Sequence, residues 1–325
     1  MRVTLAPKPD IGLNSTYIWR MRIATFNVQN LRLRSDGAGK HFDGARNEIV
    51  PLSKLADSDR LLDSEDRELT ARLVANADAD VIALQEVFDQ KTLDAFHETY
   101  LAPLGATYAY RLCLPGNDGR RRVALMSRYP LEEVQSHAAL TYTDLGLKPP
   151  GAEAASGRIF RRDCLTAVCG GLVIFVVHFK APADAATLAI TRSEATAVRK
   201  LIERRFVHPG TERWLVLGDF NVNDGYFDDV LGVLTNDFAV DLAQSLPTQA
   251  RWTYFSAAHS SYARPDRILA SPAVAPLCRS FQVHRDGMSR AATAYDGARL
   301  PGVGAVRPRA SDHALLVVEL PLELH

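Results

Sequence analysis

The stretch WLVLGDFN, residues 214–221, places a carboxylate and a carboxamide just after four apolar residues. Residues 214–217 are apolar at successive positions, which predicts a short strand covered on both faces of its sheet. A carboxylate that ends such a strand is costly to remove from water unless it is paired, binds a metal or faces a cleft. Asp219 and Asn221 are therefore candidate functional residues.

The same pattern follows three other apolar runs. Asn27 follows IATF, Glu86 follows VIALQ, and His178 follows VIFVV. A single polar residue often ends a strand without any functional role. Several strand ends with compatible side chains, however, indicate a common cleft. The tripeptide FNV also occurs twice, at 26–28 and at 220–222, a repeat that is consistent either with chance or with an ancient internal duplication.

Strands and helices are mixed along the chain without a regular alternation. Because several strands are apolar on successive residues, their sheets need cover on both faces, and two packed sheets with helices outside would supply it. Helical spacing predicts one helix over about 65–77, with Ser64 as its N-cap, and another over 184–206. The predicted strands are 23–28, 81–84, 123–126, 172–177, 214–217, 267–270 and 314–320.

The composition is that of a globular protein, with 47% apolar residues. The absence of a linker with a shifted composition predicts one domain over residues 21–325, preceded by a loose N-terminal extension, 1–20. No apolar stretch reaches the roughly 20 residues that a membrane span needs, and the four cysteines form no CxxC pair, so we expect a cytoplasmic protein. The long loops at 34–63, 141–157 and 284–311 are candidates for a substrate rim.

The net charge of the chain does not favour anion binding, so any attraction to anions must come from local groups of basic residues. Lysines and arginines number 38 and acidic residues 38, so no global positive field attracts nucleic acid or anionic membranes. The arginine runs at 120–122, 161–162 and 204–205 are either solvated faces or local patches, and Arg161 or Arg162 could reach a phosphate. The aromatic residues of RWTYF, 251–255, either line a substrate face or belong to the core.

The candidate residues have the chemistry of a metal site for phosphate esters. Glu86 and Asp312 are hard oxygen ligands and Asn27 offers a carbonyl oxygen, a set that favours Mg²⁺ or Mn²⁺ over Zn²⁺. Imidazoles at His178 and His313 can donate to phosphate oxygens as charge accumulates. Asp219 could hold and deprotonate a water.

Purely structural roles for the same residues stay open at this point. Glu86 and Asp312 could be salt-bridge partners at a sheet edge, and Asp266 could pair with Arg264 or Arg267. His178 could be a histidine of the core, satisfied by hydrogen bonds.

Six motifs decide between these readings. FNVQN (26–30), LQEV (84–87), VHF (177–179), GDFN (218–221), PDRI (265–268) and SDH (311–313) occur in this order. In type and order they resemble the endonuclease/exonuclease/phosphatase superfamily, and they span residues 21–321. The resemblance implies a DNase I-like fold, a four-layered α/β/β/α sandwich with its site at one end.

The resemblance also implies a role for each matched residue. Glu86 would be the principal metal ligand, with Asn27 and Asp312 in the metal and phosphate shell. The catalytic residues would be Asp219 (positioning and activating the water), Asn221 and His178 (phosphate donors), His313 (transition-state stabilisation) and Asp266 (orienting His313).

Position 29 departs from the family pattern. Many members have Asp or Glu two residues after the first Asn, whereas this chain has Gln29. The loss of one negative charge favours either a weaker metal affinity or a single Mg²⁺ (or Mn²⁺) held mainly by Glu86.

The sequence therefore predicts a divalent-metal-dependent phosphoesterase that cleaves phosphodiester or phosphomonoester bonds by direct attack of water. Nucleic acid is one candidate among the phosphate ester substrates, and no protein partner is implied. The alternative is a catalytically inactive binding module with the same fold, against which the retained carboxylates and imidazoles argue.

Overall fold

A computed structural model describes residues 19–36, 39–48, 50–151 and 157–322. The expected N-terminal extension, residues 1–20, lies outside these ranges except for Trp19 and Arg20, which open the first strand. No helix in the described part of the chain is long and apolar enough to cross a membrane.

Sixteen strands and four α-helices make up the regular structure of the described residues. The helices are α1 (Asp57–Ala77), α2 (Gln90–Phe96), α3 (Ala185–Arg205) and α4 (Phe227–Thr235). The strands are β1 (Trp19–Leu31), β2 (Leu33–Asp36), β3 (Gly39–Phe42), β4 (Val81–Val87), β5 (Tyr110–Leu112), β6 (Arg122–Ser127), β7 (Glu132–Ser136), β8 (Cys164–Cys169), β9 (Leu172–His178), β10 (Trp214–Asp219), β11 (Val240–Asp241), β12 (Tyr254–Ser256), β13 (Ser261–Ala263), β14 (Asp266–Ala270), β15 (Ser280–His284) and β16 (Leu315–Leu322).

Two six-stranded sheets form the centre of the fold. Their strand orders are β15-β16-β1-β4-β6-β5 and β11-β14-β10-β9-β8-β7. Side chains of both sheets, such as Ile23 and Leu215, pack together in one buried cluster between them. Because side chains alternate across a strand, the neighbouring residues face outward, where Ala24 packs with α1 and α2 and Val216 with α3 and α4. The result is the α/β/β/α sandwich that the sequence predicts.

Strand register brings the polar ends of the central strands to one end of the sandwich. The parallel pair β1 and β4 sets Asn27 opposite Gln85, the residue before Glu86. In the other sheet, Asp219 lies opposite His178 on one side and Asp266 on the other. Residues that are far apart in sequence therefore meet at one edge, as the strand-end pattern predicts.

The first helix departs from the sequence prediction. Helix α1 begins at Asp57, so Ser64 lies inside it and the N-cap is Ala56. Its buried Asp63 and Asp66 both pair with Arg307, which lies more than 240 residues further along the chain. A local sequence window does not include that partner, so the buried Asp63, in the turns that precede the predicted helix, looked like a loop residue.

The predicted loop at 34–63 is also partly wrong. Strands β2 and β3 form an antiparallel hairpin within it, and α1 occupies its last residues. Residues 284–311 do lack strands and helices after His284, as predicted. Of the predicted loop at 141–157, residues 152–156 lie outside the described ranges.

Candidate active site

A cavity of about 570 Å³ opens at the end of the sandwich where the polar strand ends meet. Six of the eight residues predicted for the site line it: Glu86, His178, Asp219, Asn221, Asp312 and His313. The other two, Asn27 and Asp266, are buried and hydrogen-bonded to cavity residues. All the predicted residues thus belong to one constellation.

His313 is held by a buried chain of polar groups. Its Nδ1 lies 2.8 Å from Asp266 Oδ2, and the same oxygen accepts a hydrogen bond of 2.7 Å from Thr253 Oγ1. The Asp266 N–H in turn donates to Thr253 Oγ1. The contact between His313 Nδ1 and Asp266 fixes the orientation of the imidazole, so that Nε2 faces the cavity. Sequence reasoning missed Thr253, which stands inside an aromatic segment and follows no strand.

The charge of His313 is set by its acidic neighbours. Burial alone would lower its pKa, but the carboxylates of Asp266, Asp219 and Asp312 outweigh that effect and raise the pKa to about 10. The imidazole is therefore a cation at neutral pH. It can stabilise negative charge that develops on a bound phosphoryl group.

Asp219 is fully buried and hydrogen-bonded on both carboxylate oxygens. Asn27 Nδ2 donates to Oδ2 over 2.9 Å, and the Asn221 N–H donates to Oδ1 over 2.8 Å. Burial and the nearby Asp266 carboxylate raise its pKa to about 6, against the lowering effects of His313 and the hydrogen bonds. A carboxylate with a pKa near neutrality is suited to accept a proton from water.

His178 is neutral and lies beside Asp219. Its Nε2 is 3.5 Å from Asp219 Oδ2. Burial lowers its pKa well below the usual value, and the positive charges of Arg162 and His313 lower it further. Its Nδ1 is buried and has no hydrogen-bond partner among the described residues. A neutral imidazole in this place can donate one hydrogen bond without adding charge.

Glu86 and Asp312 are two further carboxylates that line the cavity. Glu86 Oε2 accepts a hydrogen bond from the Asn30 N–H, and Oε1 lies 3.6 Å from Arg121 Nε. Asp312 Oδ2 accepts from Gln29 Nε2 over 2.8 Å. Arg121 also lines the cavity, so one of the three arginines at 120–122 does face the site.

Four of the eight non-glycine residues with left-handed φ in the described part of the chain belong to the site. Gln29, Asn30, Glu86 and Asn221 have φ values of 49°, 55°, 66° and 53°. Non-glycine residues rarely adopt this left-handed conformation, and each costs on the order of 1–3 kcal/mol. Such strain persists where the surrounding structure fixes it, and it is common at functional sites.

The donor set fits a hard divalent cation. Glu86 and Asp312 supply carboxylate oxygens at the cavity, whereas Asn27 Oδ1 already accepts the Gln29 N–H over 3.0 Å. Oxygen donors of this kind suit Mg²⁺ or Mn²⁺. Asp219, Asp266 and His313 also lie within 4.8 Å of one another, but His313 is protonated and bound to Asp266, so an ion there would have to displace that proton.

A second acidic group is neutralised by arginines. His41, Asp43 and Asp63 come together away from the cavity. Asp63 is contacted by Arg46 at 2.7 Å and by Arg307 at 2.7 Å, and Asp43 pairs with Arg34. These ion pairs, rather than a metal, account for the cluster.

Arg162 contributes a cation on the side of His178. It lines the cavity, is buried, and its Nη1 donates to the Phe179 carbonyl, which also accepts from Asn221 Nδ2. Its Nε lies 3.3 Å from Asp118 Oδ2. Of the two residues at 161–162, Arg162 is thus the one that reaches the cavity.

The rim of the cavity is the hairpin of β12 and β13. Tyr254 and Tyr262 line it, and the Tyr254 ring centroid lies 4.8 Å from that of His313. Phe255 is buried, so the RWTYF segment divides between cavity and core. Among the described residues of the three long loops predicted as a rim, Asn47 of 34–63 is the one that lines the cavity.

The sandwich and the polar cluster at its end define the class of proteins with a DNase I-like fold. Within that class, the chain belongs to the Endonuclease/Exonuclease/phosphatase family, whose model matches residues 24–313. Family membership supports hydrolysis of phosphate esters.

Solved structures of low sequence identity share the fold. The 3′ phosphatase NExo from Neisseria, bound to product DNA hairpin, matches with a TM-score of 0.56 and 18% identity over 92% of this chain and 99% of that one. An AP endonuclease from Archaeoglobus fulgidus matches with a TM-score of 0.55 and 15% identity, over 92% of this chain and 98% of that one. TDP2 from D. rerio, complexed with single strand DNA product, matches with a TM-score of 0.54 and 16% identity, over 92% of this chain and 98% of that one. No curated protein matches the sequence significantly.

Proposed function

We propose that the protein is a divalent-metal-dependent phosphoesterase that hydrolyses phosphodiester or phosphomonoester bonds by direct attack of an activated water. One observation carries the proposal: the buried Asp219 carboxylate, hydrogen-bonded on both oxygens, lies within 4.8 Å of the His313 imidazole, which Asp266 holds in place. At this distance the carboxylate can take a proton from the attacking water while the imidazolium stabilises negative charge on the phosphoryl oxygens.

Asp219 is the base in this reaction. Asn27 and the Asn221 N–H hold its two oxygens, so the carboxylate is already oriented before a substrate arrives. A water hydrogen-bonded to Asp219 would give a proton to that carboxylate as its oxygen attacks phosphorus. The P–O bond to the leaving group would break, and the leaving oxygen would take a proton from solvent water. The nucleophile is water, so no covalent intermediate with the protein forms.

His313 and Arg162 stabilise the charge that builds up on the phosphoryl oxygens. Asp266 and Thr253 hold His313 in one orientation, and Arg162 is held through the Phe179 carbonyl. Fixed donors of this kind need no reorganisation in the transition state. His178 and Asn221 donate further hydrogen bonds.

Glu86 and Asp312 would hold Mg²⁺ or Mn²⁺, which supplies Lewis-acid neutralisation of phosphate charge when bound. Both residues line the same cavity as Asp219. Arg121 and Gln29 are adjacent to these two carboxylates and orient them in the absence of the ion.

Among substrates, nucleic acid is the first class to test. The Neisseria and D. rerio proteins of this fold were each solved with a DNA product. The zero net charge of this chain means that attraction to a polyanion must come from local groups such as Arg121 and Arg162. A hydrolysis panel of single- and double-stranded DNA, RNA, inositol phosphates and phosphocholine lipids under one metal condition would separate the classes.

The test of the activity itself is hydrolysis of a chromogenic phosphodiester and a chromogenic phosphomonoester with Mg²⁺, with Mn²⁺ and with chelator. Wild type should turn over at least one ester only with metal, and Asp219→Asn should lower kcat by at least about 100-fold. The matched control is Asp229→Asn, which alters an exposed aspartate of α4. Turnover that is unaffected by chelator, or retained in Asp219→Asn, would refute the mechanism.

A further inference from the structure

The Asp312 side of the cavity carries a positive charge of its own. Gln29 Nε2 donates to Asp312 Oδ2 over 2.8 Å, while Gln29 Oε1 lies 3.2 Å from Arg309 Nη2 and 3.3 Å from the Asp312 N–H. The carboxamide therefore bridges a guanidinium and a carboxylate. Arg309 Nη2 is itself 3.8 Å from Asp312 Oδ2.

The direction of the Gln29 carboxamide follows from these partners. A flipped amide would turn its NH₂ group toward a guanidinium and an N–H, and its oxygen toward a carboxylate. Donor would then face donor and acceptor would face acceptor. In the favourable orientation the guanidinium polarises the amide, which strengthens its hydrogen bond to Asp312.

Arg309 is fixed in place by its surroundings. The residue is 8% exposed, and its backbone N–H donates to Asp66 Oδ1 over 2.8 Å. Asp66 in turn pairs with Arg307, so the segment before Asp312 is tied to helix α1. The guanidinium is thus a permanent charge close to the metal ligands, not a mobile surface group.

The backbone of Gln29 is held in a strained conformation that aims its side chain. Gln29 and Asn30 both have left-handed φ angles. The fully buried guanidinium of Arg67 donates to the carbonyls of Val28, Gln29, Asp43 and Gly44. By donating to four buried carbonyls in two segments, Arg67 stabilises the turn at Gln29 and Asn30, whose left-handed backbone is unfavourable for residues other than glycine.

We propose that Arg309 is a positioning residue of the metal site: through Gln29 it orients Asp312 and supplies fixed positive charge there, so that the protein binds one divalent cation, beside Glu86, rather than two. The proposal rests on the proposed function. Arg309 lies 3.8 Å from Asp312 and offsets part of its charge, so Glu86 and Asp312 together retain enough negative charge for one cation. Repulsion between the Arg309 guanidinium and a second cation disfavours the binding of that second ion.

The stoichiometry of Mn²⁺ binding tests the proposal without any measurement of turnover. The free Mn²⁺ signal in electron paramagnetic resonance, with calorimetry in parallel, reports how many ions the full chain binds. We expect one Mn²⁺ per wild-type chain. Two ions of similar affinity, or none, would overturn the proposal.

Variants of Arg309 separate charge from fold. Arg309→Met removes the charge and is expected to allow a second Mn²⁺, whereas Arg309→Lys keeps a charge and should bind one. Arg299→Met is the control, because Arg299 contacts the carbonyls of Ser289 and Ala292 in the same loop. One Mn²⁺ in a folded Arg309→Met, verified by circular dichroism, would contradict the role of Arg309. If Arg309→Met does not fold, Arg309→Gln, which also removes the charge, takes its place, and one Mn²⁺ in that variant would contradict the role of Arg309.

Gln29→Glu tests the bridge directly. It replaces the donor to Asp312 by a carboxylate, which adds one negative charge and should tighten Mn²⁺ binding by about 10-fold, or about 1.4 kcal/mol. Unchanged affinity would mean that position 29 does not act on the metal site. The outcomes also separate the two proposals: metal-dependent turnover with two bound ions refutes only the single-ion proposal, and one bound ion without turnover refutes only the enzyme.

Discussion

His313 Nδ1 and Asp266 Oδ2 lie 2.8 Å apart, and the two side chains are 10% and 1% exposed. The pair joins two segments that are 47 residues apart in sequence, at the point where β14 begins and β16 is about to begin. Since the acidic neighbours keep the imidazole charged, Asp266 determines both the orientation and the charge of His313.

Asp266→Asn should therefore cost activity more than it costs stability. The carboxamide keeps the shape but removes the negative charge, so we expect kcat to fall by about 100-fold or more with KM little changed. Steady-state kinetics with the best ester of the panel provide the measurement, and thermal melting verifies the fold. Asp229→Asn should behave as wild type. A near-native kcat in a folded Asp266→Asn would show that the imidazole needs no carboxylate partner.

The raised pKa of His313 predicts a dependence of stability on pH in the metal-free protein. The folded pKa of about 10 lies above the usual value of 6.5, so the stability contributed by the imidazolium is fully present below about 6.5 and is lost as the pH rises toward 10. His313→Asn lacks this contribution. In chelator, the unfolding free energy of wild type relative to His313→Asn should fall between pH 7 and 10, by at most about 1.4 kcal/mol per pH unit. A constant difference over that range, measured by denaturant titration, would mean that His313 is neutral.

Thr253 should influence catalysis although it does not line the cavity. Thr253→Val removes the hydroxyl that donates to Asp266 Oδ2 at nearly constant side-chain volume. We expect kcat to fall by about 3- to 30-fold, in proportion to a buried hydrogen bond to a charged group. Thr253→Ser restores the hydroxyl and should recover most of the loss. Equal defects in both variants would indicate a packing role instead.

The sequence predicts the layers of the fold because strands covered on both faces are apolar at every position. All seven predicted strands coincide with observed strands, and so do the two predicted helices over most of their length. The start of α1 was missed because the burial of Asp63, in the turns before residue 65, depends on the distant Arg307. The β2–β3 hairpin was missed because its strands have only four residues each.

The sequence predicts those residues of the site that directly follow buried strands, and the structure brings them together. The residues that hold them were not predicted. Thr253, Arg67 and Arg309 lie in segments without a strand-end pattern, and each acts through a partner that is distant in sequence. Orientation by such partners is a property of the packed structure, so a reading of local pattern does not reveal it.

Glu194 of α3 is a buried carboxylate that ties two segments of the site together. Its Oε1 accepts the Arg161 N–H over 2.8 Å and its Oε2 accepts the Lys180 N–H over 2.6 Å. These two positions flank Arg162 and Phe179, whose contact holds a cation at the cavity. Glu194→Gln leaves only one acceptor oxygen, so one of the two segments should shift. We expect KM to rise several-fold, whereas Glu203→Gln, on the exposed face of α3, should change nothing.

The stability of the same variant should depend on pH. Burial raises the pKa of Glu194 to about 7, against the lowering effect of the two N–H donors and nearby arginines. The folded protein thus holds the proton more tightly than the unfolded chain, whose pKa is near 4.5, so wild type loses stability as the pH rises from about 5 to about 7. Glu194→Gln does not titrate, and the stability advantage of wild type over the variant should shrink over this range. An advantage that grows with pH would mean that Glu194 is charged throughout and that its two hydrogen bonds outweigh the cost of its burial.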